Sequence, residues 1–315
     1  YGESMSIELE SVKCDLCSSN NNTLLLQARD YRYGHPEMFN IVKCNNCELV
    51  YINPRPTAKS MSKLYEADYT PEDIIDVSLI TRTANWKITV KSILYELYGY
   101  IGNLPRKGKV LELGCGKGDI LEILSKRGCE VWGVEPNPKA ASVCKKKGLN
   151  VVCTTLEEAN FGDEFFDAVI ISQVAEHLPS PKRTLKEVNR VVKRKGKVHI
   201  YCPNVESYLS KLFGRYWHGW HIPFHFYSFT KKTILVLVND VGFKVAKINT
   251  TTPPHFFTTS LKSFLWGESD SILPPIERGK VLDNPLVKIS LLPVFRALDF
   301  VLKDKGDCLR IELVK

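Results

Sequence analysis

The chain has 315 residues, of which 44% are hydrophobic and 25% are charged. This composition excludes a disordered or fibrous protein, and the length allows one large domain or two. The sequence contains no apolar run of about 18 residues and no export signal at its start, so we expect a cytoplasmic protein without a transmembrane helix. The formal net charge of +8 indicates a mild preference for anionic partners.

Residues 11–56 are turn-rich and contain two Cys-x-x-Cys pairs, which comprise Cys14, Cys17, Cys44 and Cys47. Each pair places two thiolates on one tight turn, so that four thiolates can surround a zinc ion tetrahedrally. Because protein ligands would fill every position around such an ion, the sequence predicts a structural Zn²⁺ site in a small zinc-ribbon-like module. A redox-active cysteine pair is the alternative interpretation.

The rest of the chain divides into three further regions by its hydrophobic period. Residues 57–104 have helical spacing, whereas residues 105–250 alternate apolar strands with amphipathic helices. This alternation predicts an α/β fold of the Rossmann-like, doubly wound type, including a helix over 181–193 and a strand over 197–202. Residues 251–315 are predicted to form a C-terminal extension that closes the sheet. Their apolar and basic residues favour packing against the sheet or a dimer partner, and peripheral contact with a membrane surface is the alternative.

A glycine-rich segment, ELGCGKG (112–118), lies where the first predicted strand of the α/β region turns into its helix. Ligands of open α/β sheets bind beyond the carboxyl ends of the strands at such a switch point. The spacing Gly-x-Gly-x-Gly matches neither the dinucleotide-binding pattern nor the P-loop pattern. Glu135 ends the second strand about 20 residues further on, where a carboxylate can accept hydrogen bonds from both hydroxyls of a ribose.

Four separated segments resemble, in order and spacing, the motifs of class I S-adenosylmethionine (SAM)-dependent methyltransferases. They are VLELGCGKG (110–118), VWGVEPN (131–137), FDAVIISQVAEHLPSP (166–181) and GKVHIYCPN (196–204). The resemblance implies SAM as the cofactor. The resemblance also implies which residues surround the methionine, ribose, adenine and sulfonium parts of SAM. They are Glu112, Gly114, Cys115, Gly116, Gly118, Glu135, Pro136, Thr155, Leu156, Gln173 and Val174. The helical segment 57–104 would cover this site through Tyr65, Tyr69, Arg82 or Trp86.

The segment KCNNCELVYINPRPTAKSMSKLYEADYT (43–70) resembles the zinc-binding region that precedes methyltransferase domains acting on sugars and other metabolites. Sugar C-methyltransferases of this kind carry a further C-terminal domain for which this chain has too few residues. The resemblance therefore implies methylation of an oxygen or a nitrogen. The loop between Asp30 and Asn40 could dock a macromolecule or form one wall of a substrate pocket.

Three histidines are candidate general bases for the acceptor. His177 follows the fourth predicted strand, close to the expected position of the methyl group, whereas His221 and His225 belong to a predicted acceptor-site insertion, 203–229. Aromatic side chains crowd this insertion and could stack on the rings of an acceptor, while histidines titrate near neutral pH. A hydrophobic lid and a second metal site of His218, His221 and His225 are alternative interpretations of the same residues.

Together, these patterns predict a methyltransferase that acts on an oxygen or nitrogen of a small metabolite, such as a nucleotide- or lipid-linked sugar of surface-glycan biosynthesis. One alternative is a nucleic-acid or protein methyltransferase whose zinc module docks the macromolecule. Another is a scaffold that binds the cofactor without turnover. Basic residues are spread along the chain rather than gathered into a groove, so we favour a small acceptor over nucleic acid. The sequence leaves the acceptor and the oligomeric state open.

Overall fold

A computed structural model describes residues 7–67, 84–98, 105–268 and 279–315. Its strands are β1 (Leu9–Glu10), β2 (Asn22–Ala28), β3 (Phe39–Cys44), β4 (Val50–Ile52), β5 (Arg55–Pro56), β6 (Gly108–Leu113), β7 (Cys129–Val134), β8 (Asn150–Val152), β9 (Phe166–Ser172), β10 (Val192–Pro203), β11 (Tyr227–Ser228), β12 (Lys244–Thr251) and β13 (Cys308–Val314). Its α-helices are α1 (Ala58–Ala67), α2 (Ala84–Tyr98), α3 (Asp119–Lys126), α4 (Pro138–Lys146), α5 (Pro181–Val191), α6 (Tyr208–Phe213), α7 (Lys231–Asp240), α8 (Pro254–Trp266) and α9 (Pro285–Val301).

Seven strands form the central sheet in the order β12-β13-β10-β9-β6-β7-β8. The five strands β10, β9, β6, β7 and β8 pair in parallel with one another in this order. Strand β13 runs antiparallel to both of its neighbours, β10 and β12. Parallel strands that are covered on both faces need nearly continuous apolar sequences, and β9, with the sequence FDAVIIS, is buried at six of its seven positions. This sheet confirms the predicted Rossmann-like α/β fold class.

The boundary between α5 and β10 differs from the sequence prediction. Helix α5 ends at Val191 rather than at residue 193, and β10 begins at once with Val192. Val192 pairs with Phe166, and the pairing becomes regular again only at Lys197. Because Val191 and Val192 are both fully buried, core packing turns the chain into a strand earlier than the helical spacing indicates.

A second sheet joins the cysteine-containing segment to the insertion. Its strand order is β11-β4-β3-β2, and β2, β3 and β4 all lie within residues 11–56. Strand β11 belongs to the insertion 203–229 and pairs with β4, so that Tyr227 lies opposite Tyr51. Two regions that are far apart in the sequence therefore share one ladder of backbone hydrogen bonds, which brings the insertion beside the cysteines.

The C-terminal helix α9 packs on α8 through Phe295 and Phe257, whose ring centroids are 5.6 Å apart. The same helix leaves Leu286, Phe300 and Val301 exposed. Within the described ranges, no helix has both the length and the apolar character needed to cross a membrane. Contact between the exposed face of α9 and a membrane surface stays a prediction.

Candidate active site

The loop that follows β6 has a backbone conformation that favours glycine. Gly114, Gly116 and Gly118 have φ angles of 63°, 53° and 80°, in the left-handed region where a side chain causes strain. The amide of Gly114 donates a hydrogen bond of 2.8 Å to the carbonyl of Val134, the last residue of β7. The loop is thereby fixed at the carboxyl ends of two central strands, where the fold binds its ligands.

Two of these glycines differ in what surrounds them. A β-carbon at Gly114 would lie 2.6 Å from Cγ2 of Val174, which stands just beyond β9, so glycine allows the loop and this strand end to touch. A β-carbon at Gly116 would meet no atom of the described residues within 4 Å. The backbone of Gly116 therefore borders open space, as the binding of SAM along this loop requires.

Glu135 holds the glycine loop with its carboxylate. Its Oε2 accepts a hydrogen bond from the amide of Gly116 and its Oε1 accepts one from the amide of Asn137, both at 2.8 Å. Burial raises the pKa of Glu135, and the two amide donors oppose that rise. A carboxylate offers about four lone-pair positions, so Glu135 can also accept hydrogen bonds from the ribose of SAM.

Glu112, at the end of β6, is a buried acid whose surroundings suit a cationic ligand. Its side chain is 4% exposed, and Oε2 has no hydrogen-bond partner within the described part of the chain. Burial, together with the nearby charge of Asp119, raises the pKa of Glu112 well above its ordinary value. A buried acceptor of this kind is costly unless it is paired. SAM carries an ammonium and a sulfonium group, so the residues present fit this cofactor.

The other residues predicted to contact SAM lie along the same edge of the sheet. Cys115 is buried in the glycine loop, whereas Pro136 and Thr155 are exposed beyond β7 and β8. Leu156 belongs to the main hydrophobic core. Gln173 has a φ angle of 55°, and its side-chain amide donates to a thiol of β13 at 3.3 Å, so this side chain turns toward β13. Contacts of these residues with SAM stay predictions.

Helix α2 contributes a buried ion pair that sequence analysis misses. The Nζ atom of Lys91 lies 2.6 Å from Oδ2 of Asp119, and both side chains are nearly buried. Asp119 is the first residue of α3, directly after the glycine loop, and the hydroxyl of Tyr95 donates to it at 3.4 Å. Helix α2 is thereby fastened beside the loop. The sequence signal is the four-residue spacing of Lys91 and Tyr95, which places them on one helix face.

The three histidines that the sequence offers as competing bases lie together as one group, the histidine cluster, composed of His177, His221 and His225. The ring centroids of His177 and His225 are 4.4 Å apart, and those of His221 and His225 are 5.0 Å apart. His177 follows β9 and the other two follow β10. These strands are neighbours in the sheet, so the segments beyond their carboxyl ends meet. His218 turns away and packs against His255, with 5.4 Å between ring centroids.

Burial keeps the imidazoles of the histidine cluster neutral. It lowers the pKa of His177 to about 4, and it lowers the pKa of His221 and of His225 well below 6.5. The Nδ1 atom of His225 lies 2.8 Å from the carbonyl oxygen of Gly219, which can only accept a hydrogen bond, so Nδ1 carries the proton. The Nε2 atom of His225 is therefore a free base at neutral pH.

Glu176 lies beside His225, with 3.9 Å between its Oε1 and Nε2 of the histidine. Its side chain is fully buried, and within the described ranges neither carboxylate oxygen accepts a hydrogen bond from another residue. Burial raises the pKa of Glu176 to about 8. The carboxyl group is therefore mainly protonated at pH 7 unless a cation binds next to it.

Helix α1 reaches the histidine cluster through Tyr65. The hydroxyl of Tyr65 lies 3.0 Å from Nδ1 of His177. Of the side chains that the sequence suggests as a cover for the cofactor, Tyr65 is thus placed at the cluster. Tyr69 and Arg82 lie outside the described residues, as does the side chain of Trp86.

A cleft rich in arginine and aromatic side chains opens beside the histidine cluster. Its lining residues include Arg29, Arg32, Arg215, Tyr31, Tyr216, Trp220 and His221. The guanidinium of Arg32 lies 3.5 Å from Nε2 of His221, so the cleft and the cluster share this histidine. The loop that the sequence suggests as a pocket wall, between Asp30 and Asn40, supplies one side of the cleft.

The four cysteines of the N-terminal segment converge. The sulfur of Cys14 lies 3.4 Å from that of Cys47, and the sulfur of Cys17 lies 3.5 Å from that of Cys44. All four sulfur atoms are within 4.8 Å of one another. Thiolates at about 2.3 Å from a tetrahedral zinc ion stand roughly 3.8 Å apart, so this arrangement fits a zinc ion with little movement.

The sequence model of a family described as a methyltransferase domain matches residues 90–248, about half of the chain. The chain belongs to this methyltransferase family. The matched range contains the glycine loop, Glu135 and the whole histidine cluster. The domain is thus a class I SAM-dependent methyltransferase, as the sequence motifs indicate. The cysteine segment 11–56 lies outside the matched range.

Individual relatives match over shorter or more distant alignments. A protein of Methanocaldococcus jannaschii is 29% identical over 147 residues, which cover 46% of this chain and 69% of that protein. A ubiquinone biosynthesis O-methyltransferase of Coxiella burnetii is 31% identical over 117 residues, or 34% of this chain. The chain spans about half, 50%, of the length of that enzyme. A SAM-dependent methyltransferase structure from Archaeoglobus fulgidus is 23% identical with a TM-score of 0.48, and the match covers 72% of this chain and 93% of that one.

Proposed function

We propose that this methyltransferase transfers the methyl group of SAM to an oxygen or nitrogen atom of a small acceptor. The observation that carries the proposal is the position of the histidine cluster. His177 lies three residues after Val174, which touches Gly114 of the cofactor loop. The backbone amide of His177 donates a hydrogen bond to the carbonyl of Val174 at 3.0 Å. The cluster thus stands next to the end of the loop from which a bound SAM would present its methyl group.

The side chains around the cluster have the properties that methyl transfer needs. Transfer from a sulfonium is an in-line displacement, so the protein mainly aligns the acceptor and, for a hydroxyl, removes a proton. His225 offers a neutral Nε2 atom, and His177 is oriented by the hydroxyl of Tyr65. We propose His225 or His221 as the base and His177 as its competitor for that role.

The cleft beside the cluster supports a phosphorylated sugar as the acceptor, such as a nucleotide- or lipid-linked sugar of a surface-glycan pathway. Aromatic faces pack against sugar rings, and guanidinium groups bind phosphate in a bidentate manner. Arg29, Arg32 and Arg215 line the cleft together with tyrosine and tryptophan rings. His221 joins this cleft to the histidine cluster, so an acceptor bound in the cleft would extend toward the methyl group.

A phenolic acceptor is the second candidate. It is favoured by the similarity to the Coxiella burnetii ubiquinone biosynthesis O-methyltransferase. The aromatic lining of the cleft would accept such a ring as well. The arginines distinguish the two candidates, because an uncharged phenol gains less than a phosphate from Arg32 and Arg215, whereas Arg29 is already paired with Glu268 at 2.9 Å.

We further propose that Cys14, Cys17, Cys44 and Cys47 hold a structural Zn²⁺ ion. Four thiolates leave no open position on the ion, so its part would be to stabilise the fold of this segment. Because β11 of the insertion pairs with β4 of the same segment, the ion would also support the acceptor side of the site.

Transfer of a labelled methyl group tests this function. The purified protein would be incubated with methyl-labelled SAM and, in separate reactions, a panel of sugar nucleotides, a lipid-linked sugar extract, hydroxylated benzoquinone precursors and RNA. Labelled product with a phosphorylated sugar, reduced by Arg215→Gln but not by Lys211→Gln in the neighbouring helix, would support the first candidate. Product with phenols alone would favour the second. Product with RNA alone would overturn the proposal in favour of a macromolecular substrate. No product with any acceptor of the panel would overturn it in favour of a scaffold that binds SAM without turnover.

A further inference from the structure

We infer that His177, His221 and His225 form a second metal site, which binds a divalent first-row transition ion between the cofactor edge and the acceptor cleft. The site is separate from the four cysteines in both position and chemistry. The cysteines offer sulfur, whereas this group offers imidazole nitrogen. It also differs from the trio that the sequence suggests, because His177 takes the place of His218.

The geometry of the cluster suits an ion with modest adjustment. One nitrogen from each of the three histidines lies within 4.8 Å of the other two. Ligands at about 2.0–2.1 Å from a common ion stand roughly 3.4 Å apart in a tetrahedron, so the rings need to approach by little more than 1 Å. His177 and His221 are partly accessible whereas His225 is buried, so an ion can enter from the cleft.

A buried carboxylate supplies the second observation. Glu176 is fully buried, and Oε1 lies 3.9 Å from Nε2 of His225. Neither of its oxygens accepts a hydrogen bond from another residue in the ranges that the structure describes. A carboxylate enclosed in this way is costly without a positive partner. An ion held by the three imidazoles would provide that partner, with Glu176 as a fourth ligand or as a neighbour in contact with a ligand.

The hydrogen bonds around the histidines already resemble those of metal-binding histidines. Such a histidine usually donates from its second nitrogen to a carbonyl or carboxylate, which fixes the ring and its tautomer. His225 does so, since its Nδ1 donates to the carbonyl of Gly219 at 2.8 Å. The hydroxyl of Tyr65 contacts Nδ1 of His177 at 3.0 Å, so this ring is also held at one nitrogen. In His225 Nε2 is therefore the atom available to the ion. His177 also makes a hydrogen bond with the backbone of Phe224, a contact with which a bound ion would compete.

Arg32 opposes the ion. Its guanidinium lies 3.5 Å from Nε2 of His221, so a bound ion would have to displace this contact. Arg32 is long and partly exposed. We therefore expect Arg32→Gln to tighten metal binding, whereas a structural role of Arg32 alone would leave it unchanged.

The donor set selects the class of ion. Imidazole with one carboxylate suits Zn²⁺, Fe²⁺, Co²⁺ and Ni²⁺ better than Mg²⁺ or Ca²⁺, which prefer oxygen ligands. Three imidazoles also leave a fourth position, at which an acceptor hydroxyl can compete with Glu176. Binding of the ion does not rest on the proposed function, but this role in holding a hydroxyl-bearing acceptor does. A histidine that holds the ion through Nε2 cannot also act as the base, so with the ion bound the ion itself would favour loss of the hydroxyl proton.

Cobalt loading of this 315-residue chain tests the site. Metal-depleted protein would be titrated with Co²⁺ alone, and bound ions would be counted after removal of excess metal. We expect two ions per chain, one with the thiolate-to-cobalt charge-transfer bands of the cysteine site and one with only the visible bands of nitrogen and oxygen ligation. His221→Gln and His225→Gln should keep the charge-transfer bands and lose the second ion. His218→Gln is the matched control and should keep both.

The retained cysteine site shows that each variant is folded, so a loss of the second ion is interpretable. A single ion in the wild-type protein, or two ions in both His221→Gln and His225→Gln, would overturn the inference. Glu176→Gln should lower the affinity of the histidine cluster for the second ion by about tenfold or more. If the second ion binds but no acceptor is methylated, the proposed function fails while the metal site stands. If methyl transfer proceeds with only the cysteine site filled, the proposed function stands and the role of the ion fails.

Discussion

The hydroxyl of Tyr65 lies 3.0 Å from Nδ1 of His177, so the helix that follows the cysteine segment is tied to the end of strand β9. This contact joins two parts of the chain that are 112 residues apart in sequence. It places an N-terminal side chain at the proposed reaction site of the methyltransferase domain. The cysteine segment and α1 are thereby expected to influence turnover as well as stability.

Replacement of the Tyr65 hydroxyl should slow methyl transfer. We expect Tyr65→Phe to reduce kcat by about tenfold, because one hydrogen bond that orients His177 is lost, and to change the affinity for SAM by less than about twofold. Tyr227→Phe is the control, since its hydroxyl donates to the carbonyl of Pro179 and not to a histidine. Steady-state kinetics with the identified acceptor measure both. Equal kcat for Tyr65→Phe and the wild-type protein would remove Tyr65 from the site.

Two alanine substitutions in the glycine loop should have different effects. Gly114→Ala places a methyl group 2.6 Å from Val174 and should destabilise the fold by about 1–3 kcal/mol through overpacking, in addition to the strain at its positive φ. Gly116→Ala meets no described atom within 4 Å and should cost only about 1–2 kcal/mol of backbone strain, yet it should abolish SAM binding. Thermal unfolding and calorimetry measure the two properties. The pair Gly114→Ala with Val174→Ala should recover part of the stability, and a Gly116→Ala protein that binds SAM normally would contradict the placement of the cofactor.

Loss of one cysteine ligand should release the zinc ion and loosen the N-terminal sheet. We expect Cys17→Ser to fill the cysteine site to less than about one tenth of the wild-type level, measured by the thiolate-to-cobalt charge-transfer bands, and to lower the melting temperature. Cys153→Ser removes an exposed cysteine outside the group of four and should change neither. Cobalt spectra and calorimetric melting provide the measurements. Undiminished charge-transfer bands in both Cys17→Ser and Cys44→Ser would show that these cysteines do not hold the ion, and absence of the bands from the wild-type protein would favour the redox interpretation.

A buried histidine in the central sheet should make the fold sensitive to acid. Burial lowers the pKa of His199 to about 4 from the ordinary value of 6.5, and neither ring nitrogen has a hydrogen-bond partner among the described residues. As pH falls below 6.5, His199 becomes protonated in the unfolded chain but stays neutral in the folded protein. The free energy of unfolding therefore decreases between pH 6.5 and 4. Relative to His199→Leu, the wild-type protein should lose about 2 kcal/mol of unfolding free energy between pH 7.5 and 5.

Urea unfolding at the two pH values measures this difference. The comparison with His199→Leu cancels the contributions of the other titrating groups, because those groups are common to both proteins. Leucine also removes two buried polar atoms that make no hydrogen bond to any described residue, so the variant should be at least as stable as the wild-type protein at pH 7.5. An equal pH dependence for the two proteins would show that His199 is not enclosed in the sheet.

Local sequence patterns predict the central sheet and the cofactor loop well, because the forces that shape them act over short distances. The apolar run of β9 and the glycines after β6 each specify their own conformation. The boundary at Val191 is predicted less well, since burial against distant strands outweighs the helical spacing there. Pairing between distant segments is not visible in one sequence, and the contact of β11 with β4 is an example.

The candidate site shows the same division. Sequence analysis identifies His177, His221 and His225 one by one but treats them as competitors. It cannot bring them together, because β9 and β10 become neighbours only in the assembled sheet. The ion pair of Lys91 with Asp119 is also missed, since it joins α2 to the start of α3 through two surface-type residues that become buried only in the fold.

Calorimetric titration of the zinc-loaded protein with SAM tests the central claim most directly. The account predicts one SAM per chain with micromolar affinity, reduced about tenfold or more in Glu135→Gln because the hydrogen bonds from the ribose to a charged oxygen are weakened. Glu130→Gln, at the other end of the same strand β7, should bind SAM like the wild-type protein. Absence of SAM binding by a folded, zinc-containing wild-type protein would contradict the account.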